Sequence, residues 1–227
     1  MSVPSIGATL VTSRSFEEYV AMFALDGDDL SGTVLDCPAG ASSFTATAHE
    51  SGTRATACDS AYGDRQSLLD SVRTEVERGN RYIAEHHEGF SDRFFATPDE
   101  HLGHRLTAAD AFVRDFVDRP EAYVHAALPA LPFGDRSFDL VLSSHLLFSY
   151  ADRLDLDTHL AYLAELVRVA RDQVRVFPLV PTGSTARYPH LGELRDRLAA
   201  RGVDTTVTAV DYEFQRGADE MLVCRRP

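Results

Sequence analysis

Apolar residues recur every three to four positions between Ser15 and Leu25, where Phe16, Tyr19, Val20 and Phe23 share one face, so the spacing predicts an amphipathic helix. A short apolar run then predicts a strand over Thr33 to Asp36. The small-residue turn Cys37-Pro38-Ala39-Gly40-Ala41-Ser42 follows, with a helix that starts near Ser42 or Ser43 as N-cap and stops at Gly52. A second strand ends at Asp59. The next sixty residues exceed what a crossover needs, since one helix of about 11 to 12 residues returns the chain. Leu68, Leu69, Val72, Val76 and Ile83 predict a helix over Ser67 to His86, and Phe112, Val113 and Phe116 a second over Thr107 to Val117. Between them Phe90-Ser91-Asp92-Arg93-Phe94-Phe95 is aromatic and irregular. Residues 61–120 thus read as an insertion on the ligand-facing edge, either a lid over a substrate pocket or a structural cap or dimer surface.

Beyond the Arg119-Pro120 break a third strand is expected over Ala122 to Ala127, and Leu131-Pro132-Phe133-Gly134 leads into a buried fourth strand ending near Ser143-Ser144-His145. Leu160, Leu163, Val167 and Ala170 mark a helix, Val174 to Val180 a fifth strand, and Leu191, Leu194 and Leu198 a last helix ended by Gly202. Thr206 to Phe214 and Glu220 to Arg225 form a hairpin around Gly217. Alternating strands and helices over 227 residues predict one α/β domain, 1–227, with residues 1–30 as an N-terminal helical segment.

The order strand, tight turn, helix, strand, acid carries chemistry. In an open α/β sheet it sets a small-residue turn beneath a nucleoside and a carboxylate where the ribose lies, and Asp59 follows Gly40 at the spacing such an acid requires. Composition narrows the class. The net charge is -13 and every one of the 22 basic residues is arginine. That acidity argues against a nucleic-acid partner, because no basic stripe neutralises phosphates. It fits either a salt-rich, halophilic cytoplasm or an arginine-favouring genome. No run approaches the roughly 20 apolar residues of a membrane span. Met1 to Phe16 lacks the pattern of a secretion signal, so a cytoplasmic protein is expected. Cys37, Cys58 and Cys224 have no paired spacing and read as reduced core thiols, with Cys37 and Cys58 neighbours on adjacent strands. His101 and His104 share a helical face, but no carboxylate pattern completes a metal set, and no metal is expected.

Four features in order resemble the class I S-adenosylmethionine-dependent methyltransferases. They are the glycine-containing turn after the first strand, the acid ending the second, the Leu131-Pro132-Phe133 then Phe138-Asp139-Leu140-Val141 lead-in, and the terminal hairpin. More narrowly, Ser42-Ser43-Phe44, Ser144-His145 and Tyr212 to Gly217 are similar to a group of bacterial and archaeal methyltransferase-like proteins. The resemblance implies a Rossmann-like, mostly parallel seven-stranded sheet with an antiparallel C-terminal hairpin strand, helices on both faces and S-adenosylmethionine as cofactor. The family's turn carries glycines where this chain has Pro38, Gly40 and Ser42, so only Gly40 keeps the free approach.

The resemblance assigns the methionine end to Asp36, the Pro38-Ala39-Gly40 backbone and Ser42, and the ribose to Asp59 with Ser60 beside it. It assigns the adenine to the backbone at Ala127-Leu128. Ser143, Ser144 and His145 border the transferable methyl, and Ser-Ser-His-Leu there departs from the Asn-Pro-Pro-Tyr motif of adenine and glutamine methylases. His145 is the candidate base, on the ground that an imidazole titrates near neutrality, or else a histidine that only lines the pocket. Three functions stay open: methyl transfer to a small molecule, a protein that binds the cofactor or its demethylated product without chemistry, and a nicotinamide-dependent oxidoreductase, which the hairpin disfavours.

Overall fold

The computed structural model describes residues 10–226, so the start of the N-terminal segment lies outside the described residues. Its strands are β1 (Thr33–Asp36), β2 (Arg54–Asp59), β3 (Tyr123–His125), β4 (Phe138–Ser144), β5 (Ala170–Phe177), β6 (Asp204–Ala209) and β7 (Glu220–Arg225). They form one seven-stranded sheet in the order β3-β2-β1-β4-β5-β7-β6. β7 runs antiparallel to both β5 and β6, while the remaining neighbours are parallel. β1 therefore lies between β2 and β4, where the winding changes direction. A ligand crevice opens at the carboxyl ends of strands at such a point.

The helices are α1 (Phe16–Phe23), α2 (Phe44–Glu50), α3 (Arg65–Glu85), α4 (Pro98–Asp118), α5 (Leu156–Val169) and α6 (Leu191–Ala199). Side chains alternate across the sheet because the strand period is two. Leu35, Val141, Val174 and Leu222 pack with Leu163, Leu166 and Leu194 on one face. Val34, Leu140, Leu142 and Val223 pack with Tyr19, Phe23 and Phe44 on the other. A third cluster joins Leu68, Val72 and Val76 of α3 to Phe112 and Phe116 of α4. At the far end of β1, Asp139 accepts from the Thr33 amide at 2.7 Å and its hydroxyl at 2.8 Å, which clamps β1 to β4.

Several boundaries depart from the sequence expectation. α4 begins at Pro98, nine residues before the expected Thr107, because Thr97 caps it through the Glu100 amide and Pro98 fills the first helical position. Its first turns bury His101 and Arg105 where the apolar pattern needs hydrophobes. β5 runs from Ala170 to Phe177 and ends where Pro178 cannot donate to the ladder. β6 stops at Ala209 and not Phe214. Tyr212 and Glu213 are drawn instead onto other segments, so the connection to β7 spans residues 210–219.

One buried contact sets that arrangement. Glu18 is 0% exposed, and its carboxylate is gripped at both oxygens by the Arg105 guanidinium of α4. The Tyr212 hydroxyl donates to Glu18 Oε1 at 2.8 Å, and the Ser15 amide donates to Oε2 at 2.9 Å. Helix α1, the insertion and the 210–219 connection therefore meet at one carboxylate. Burial works against the charge, but Arg105 outweighs it and holds the Glu18 pKa below its ordinary value. Removing either partner strands a buried charge, so Glu18→Gln or Arg105→Met should lower the unfolding free energy by about 3–5 kcal/mol. In urea titrations the double variant should lose less than the sum. Additive losses would mean that the two side chains do not act as a pair.

Candidate functional site

A cavity of about 470 Å³ opens at the carboxyl ends of β1, β2 and β4, within the roughly 300–1,000 Å³ range of small-molecule sites. Its floor is built by Pro38, Ala39 and Gly40 after β1, Asp59 and Ser60 after β2, Ala127 and Leu128 after β3, and Ser144 and His145 after β4. The chain brings these sequence-chosen residues to one wall. A second cavity shares Ser149, Tyr150 and Thr182 with the first and runs toward α6.

Asp36, Ser42 and Ser143, expected at the cofactor, do not line that cavity. Asp36 is fully buried beneath the turn, where it accepts from the Tyr19 hydroxyl at 3.1 Å and the Ser42 hydroxyl at 3.2 Å. Burial raises its pKa well above the ordinary value, against both hydrogen bonds. Ser143 is also completely enclosed. Its neighbour Ser144 points the alternation of β4 toward the cavity instead.

The turn backbone is spent as well. The amides of Ala39, Ala41, Ser42 and Ser43 donate to the carbonyls of Cys58, Thr12, Ala39 and Arg14, and Gly40 donates to Asp59. No amide from 39 to 43 is left to receive a ligand anion. The segment 12–14, which runs along the turn, takes the amides of Ala41 and Ser43. Gly40 has φ +58°, and a Cβ there would lie 3.0 Å from the Thr12 carbonyl. Close approach by the chain itself explains this glycine.

That segment delivers Arg14, a residue the sequence reading missed. Arg14 is 8% exposed and lines the cavity. One guanidinium nitrogen donates to the Thr12 hydroxyl, while Nε has no partner among the described residues. Burial, then the Arg105 charge, lowers its pKa. Glu18 is paired with Arg105, so Arg14 stands at the cavity wall without a carboxylate bonded to it. The Ser15 to Glu18 capping box immediately after Arg14 was the available signal, since it fixes where α1 begins.

Asp59 sits at the end of β2 with both oxygens engaged: Oδ2 accepts from the Gly40 amide and Oδ1 from the Ala61 amide, each at 2.8 Å. The Ser60 hydroxyl also donates to Oδ1, at 3.5 Å, while Oδ2 keeps a lone pair for a further donor. Burial raises the Asp59 pKa, against those two amides. A carboxylate in that state gains from a hydroxyl donor. Cys37 and Cys58 are free buried thiols at the same wall, adjacent as expected, and their mutual hydrogen bond and burial keep Cys37 protonated.

His145 adopts φ +51° and its Nδ1 lies 2.9 Å from the Ser144 hydroxyl, which leaves Nε2 for a ligand. The expectation that it titrates near neutrality is corrected here. Burial, then Arg14 and Arg105, lowers its pKa well below the ordinary value. It is a neutral imidazole at physiological pH.

Over the cavity lie α3, α4 and the 210–219 connection. The Phe90 and Gln215 backbones form a bridge, the Ser91 amide donates to the Phe214 carbonyl at 2.7 Å, and the Arg216 amide to Gly89 at 3.0 Å. His101 stacks on Phe214 at 4.7 Å and accepts at Nε2 from Arg105 Nε at 3.1 Å. Burial, then the Arg105 charge, pushes its pKa down to about 3. Among the described residues no group of three or more His, Cys, Asp or Glu is placed to hold a metal. Nor is any helix among the described residues long and apolar enough to cross a membrane.

His101 gives a signed expectation. Between its unfolded pKa of about 6.5 and its folded value of about 3, the unfolded chain holds a proton that the fold refuses. Stability therefore falls as pH drops through that window. His101→Phe should make the decline shallower by up to about 1.4 kcal/mol per pH unit in denaturation curves taken from pH 6.5 to 5. An unchanged slope would contradict a buried neutral imidazole.

A family model described as a methyltransferase domain matches residues 100–177, which span α4 to β5. An uncharacterized protein of Methanocaldococcus jannaschii is 28% identical over 224 residues, 96% of each chain. Magnesium protoporphyrin IX methyltransferase of Synechocystis, solved with bound S-adenosylmethionine, superposes with a TM-score of 0.50 at 14% identity, over 93% of this chain and 78% of that one. Its S-adenosylhomocysteine form gives the same score over 93% and 81%. The strand order, the hairpin at the sheet edge and these likenesses give the chain the Rossmann-like fold seen in S-adenosylmethionine-dependent methyltransferases.

Proposed function

We propose that the protein transfers a methyl group from S-adenosylmethionine to a small-molecule acceptor. The observation that carries this reading is the presence of a buried carboxylate, Asp59, whose Oδ2 accepts a single hydrogen bond, and of a buried guanidinium, Arg14, whose Nε has no partner among the described residues, in one cavity at the switch in the winding. The residues fit the group. Asp59 would take the ribose hydroxyls, with Ser60 beside it, and Ala127 and Leu128 would offer backbone to the adenine. Arg14, and not Asp36 or Ser42, would take the methionine carboxylate, because no turn amide is left to do so. Pro38, Ala39 and Gly40 would form the surface under the nucleoside.

The cofactor supplies an electrophilic methyl on a sulfonium. The protein's contribution is then positioning, exclusion of water and removal of a proton when the acceptor must lose one. Ser144 orients His145 through Nδ1, so Nε2 is the atom that would receive that proton. The insertion and the 210–219 connection act as the roof that keeps water out. The acidic surface supports a small molecule over a nucleic acid as the acceptor. A cytoplasmic setting and adaptation to high salt are part of the same reading.

Binding tests the carboxylate and ribose roles separately. In calorimetry, Arg14→Met should weaken S-adenosylhomocysteine about 10- to 100-fold, the worth of a charge-assisted hydrogen bond. It should leave 5′-methylthioadenosine, which lacks the carboxylate, nearly unchanged. Asp59→Asn should weaken both. Equal losses for the two ligands in Arg14→Met would refute the carboxylate role.

Turnover tests the base. With methyl-labelled cofactor and a cell extract in high salt, a labelled small molecule is the expected product, and its absence would favour a protein that only holds the nucleoside. His145→Ala should cut kcat by about 100-fold or more while S-adenosylhomocysteine affinity stays within a few-fold. Because the His145 pKa lies well below 6.5, the wild-type rate should show no acid limb near pH 6.5. Full rate in the variant would remove His145 from the chemistry.

A further inference from the structure

The cavity extends past the cofactor floor into a chamber under α3, α4 and the 210–219 connection, and its walls there have a chemistry of their own. Three half-buried rings line it: Tyr82, Phe90 and Phe214. Phe214 lies 4.9 Å from Phe90 and is stacked flat on His101, with 8° between the planes. Flat rings are covered best by another flat ring. The charged groups on this side are already matched, Arg105 to Glu18 and Glu75 to Arg78. Arg14, the remaining cation of the lining, is the one assigned to the methionine carboxylate, so a charge on the acceptor would meet no further counter-ion.

Five polar atoms of residues lining the cavity are buried without a partner among the described residues, Ser13 Oγ, Arg14 Nε, Asn80 Oδ1, His101 Nδ1 and Ser149 Oγ, and of these only Asn80 on α3 and His101 on α4 belong to the helices over the chamber. Because His101 is neutral and accepts at Nε2 from Arg105, its proton resides on Nδ1, and that N–H is buried without a partner among the described residues. Asn80 Oδ1, on α3, is likewise a buried acceptor without a donor. Buried polar groups are normally satisfied, and an unmatched donor and an unmatched acceptor around one cavity indicate what fills it. We propose, resting on the methyl-transfer reading, that the acceptor is a planar, uncharged aromatic or heteroaromatic molecule held under this roof. Its own N–H or O–H donates to Asn80 Oδ1, and a carbonyl or ring acceptor receives the His101 Nδ1 proton. Asn80 and His101 are then specificity-determining residues.

Quinolin-4(1H)-one, which carries one donor and one acceptor on a flat uncharged frame, is the probe. It is titrated against the protein by saturation-transfer NMR in saturating S-adenosylhomocysteine, whose own binding is measured first by calorimetry. Saturable binding is expected, with 1-methylquinolin-4-one about tenfold weaker for want of the donor and the globular adamantan-1-ol not binding. Asn80→Leu should erase the difference between the two quinolones, whereas His101→Phe, which keeps a ring in the stack, should weaken both alike. No saturable quinolone binding, equal wild-type affinity for its methylated form, or equal affinity for adamantan-1-ol would overturn the proposal. If either variant fails to fold, the wild-type comparison of the three probes still decides it. A failure of S-adenosylhomocysteine to bind would instead overturn the cofactor reading, and the quinolone titration without it would still read the chamber.

Discussion

The fold over the site depends on a single buried carboxylate. Glu18 is held by Arg105 from α4, by the Tyr212 hydroxyl from the β6 to β7 connection and by the Ser15 amide at the start of its own helix. These groups come from parts of the chain with no backbone pairing between them at that point. A buried ion pair adds little net stability over an apolar contact of the same shape, but it punishes any arrangement that leaves one partner alone. Glu18 thus gives the roof a unique position more than it gives the fold strength. The aromatic contacts of Phe94 with Tyr212 and of Phe95 with Phe214 follow from that position.

The same contact explains why the proposed recognition of the cofactor rests on side chains and not on the turn backbone. Helix α1 is held against the sheet, so the segment before it lies along the turn after β1 and takes the Ala41 and Ser43 amides, while Cys58, Asp59 and Ala39 take those of Ala39, Gly40 and Ser42. A glycine-rich turn that faces a ligand has its donors free; this one has them all occupied within the protein, two of them by the Thr12 and Arg14 carbonyls. The chain returns a donor through the Arg14 side chain, at the cost of a buried guanidinium whose Nε has no partner in the protein. Pro38 and Ser42 are tolerable in such a turn because it no longer offers amides to a ligand. Gly40 remains because the Thr12 carbonyl approaches it closely.

Much of this was legible in the sequence. β1 and the end of β2 are where the apolar runs and the acid predicted them, since buried parallel strands are written as plain apolar stretches. The antiparallel hairpin was legible in Gly217 and the two flanking runs, although its first strand ends five residues early. What escaped were features built from polar residues turned inward. The first turns of α4 bury His101 and Arg105, which hydrophobic periodicity scores as surface. Asp36 and Ser42 look like ligand-binding residues in one dimension, yet in space they satisfy each other and Tyr19. His145 lines the cavity, but its ionisation was misjudged, because the burial that chiefly lowers its pKa, and the two arginines that add to it, come from segments far away in the chain.

The central claim is that one cavity holds a nucleoside by its sugar at Asp59 and by its carboxylate at Arg14. A crystal structure of the protein grown with S-adenosylhomocysteine tests it most directly. The account predicts density for the ligand across the end of β1, with both ribose hydroxyls within hydrogen-bond distance of Asp59 and the methionine carboxylate on the Arg14 guanidinium. Density for the nucleoside at any other place, or a cavity closed by the protein's own side chains at saturating ligand, would contradict it.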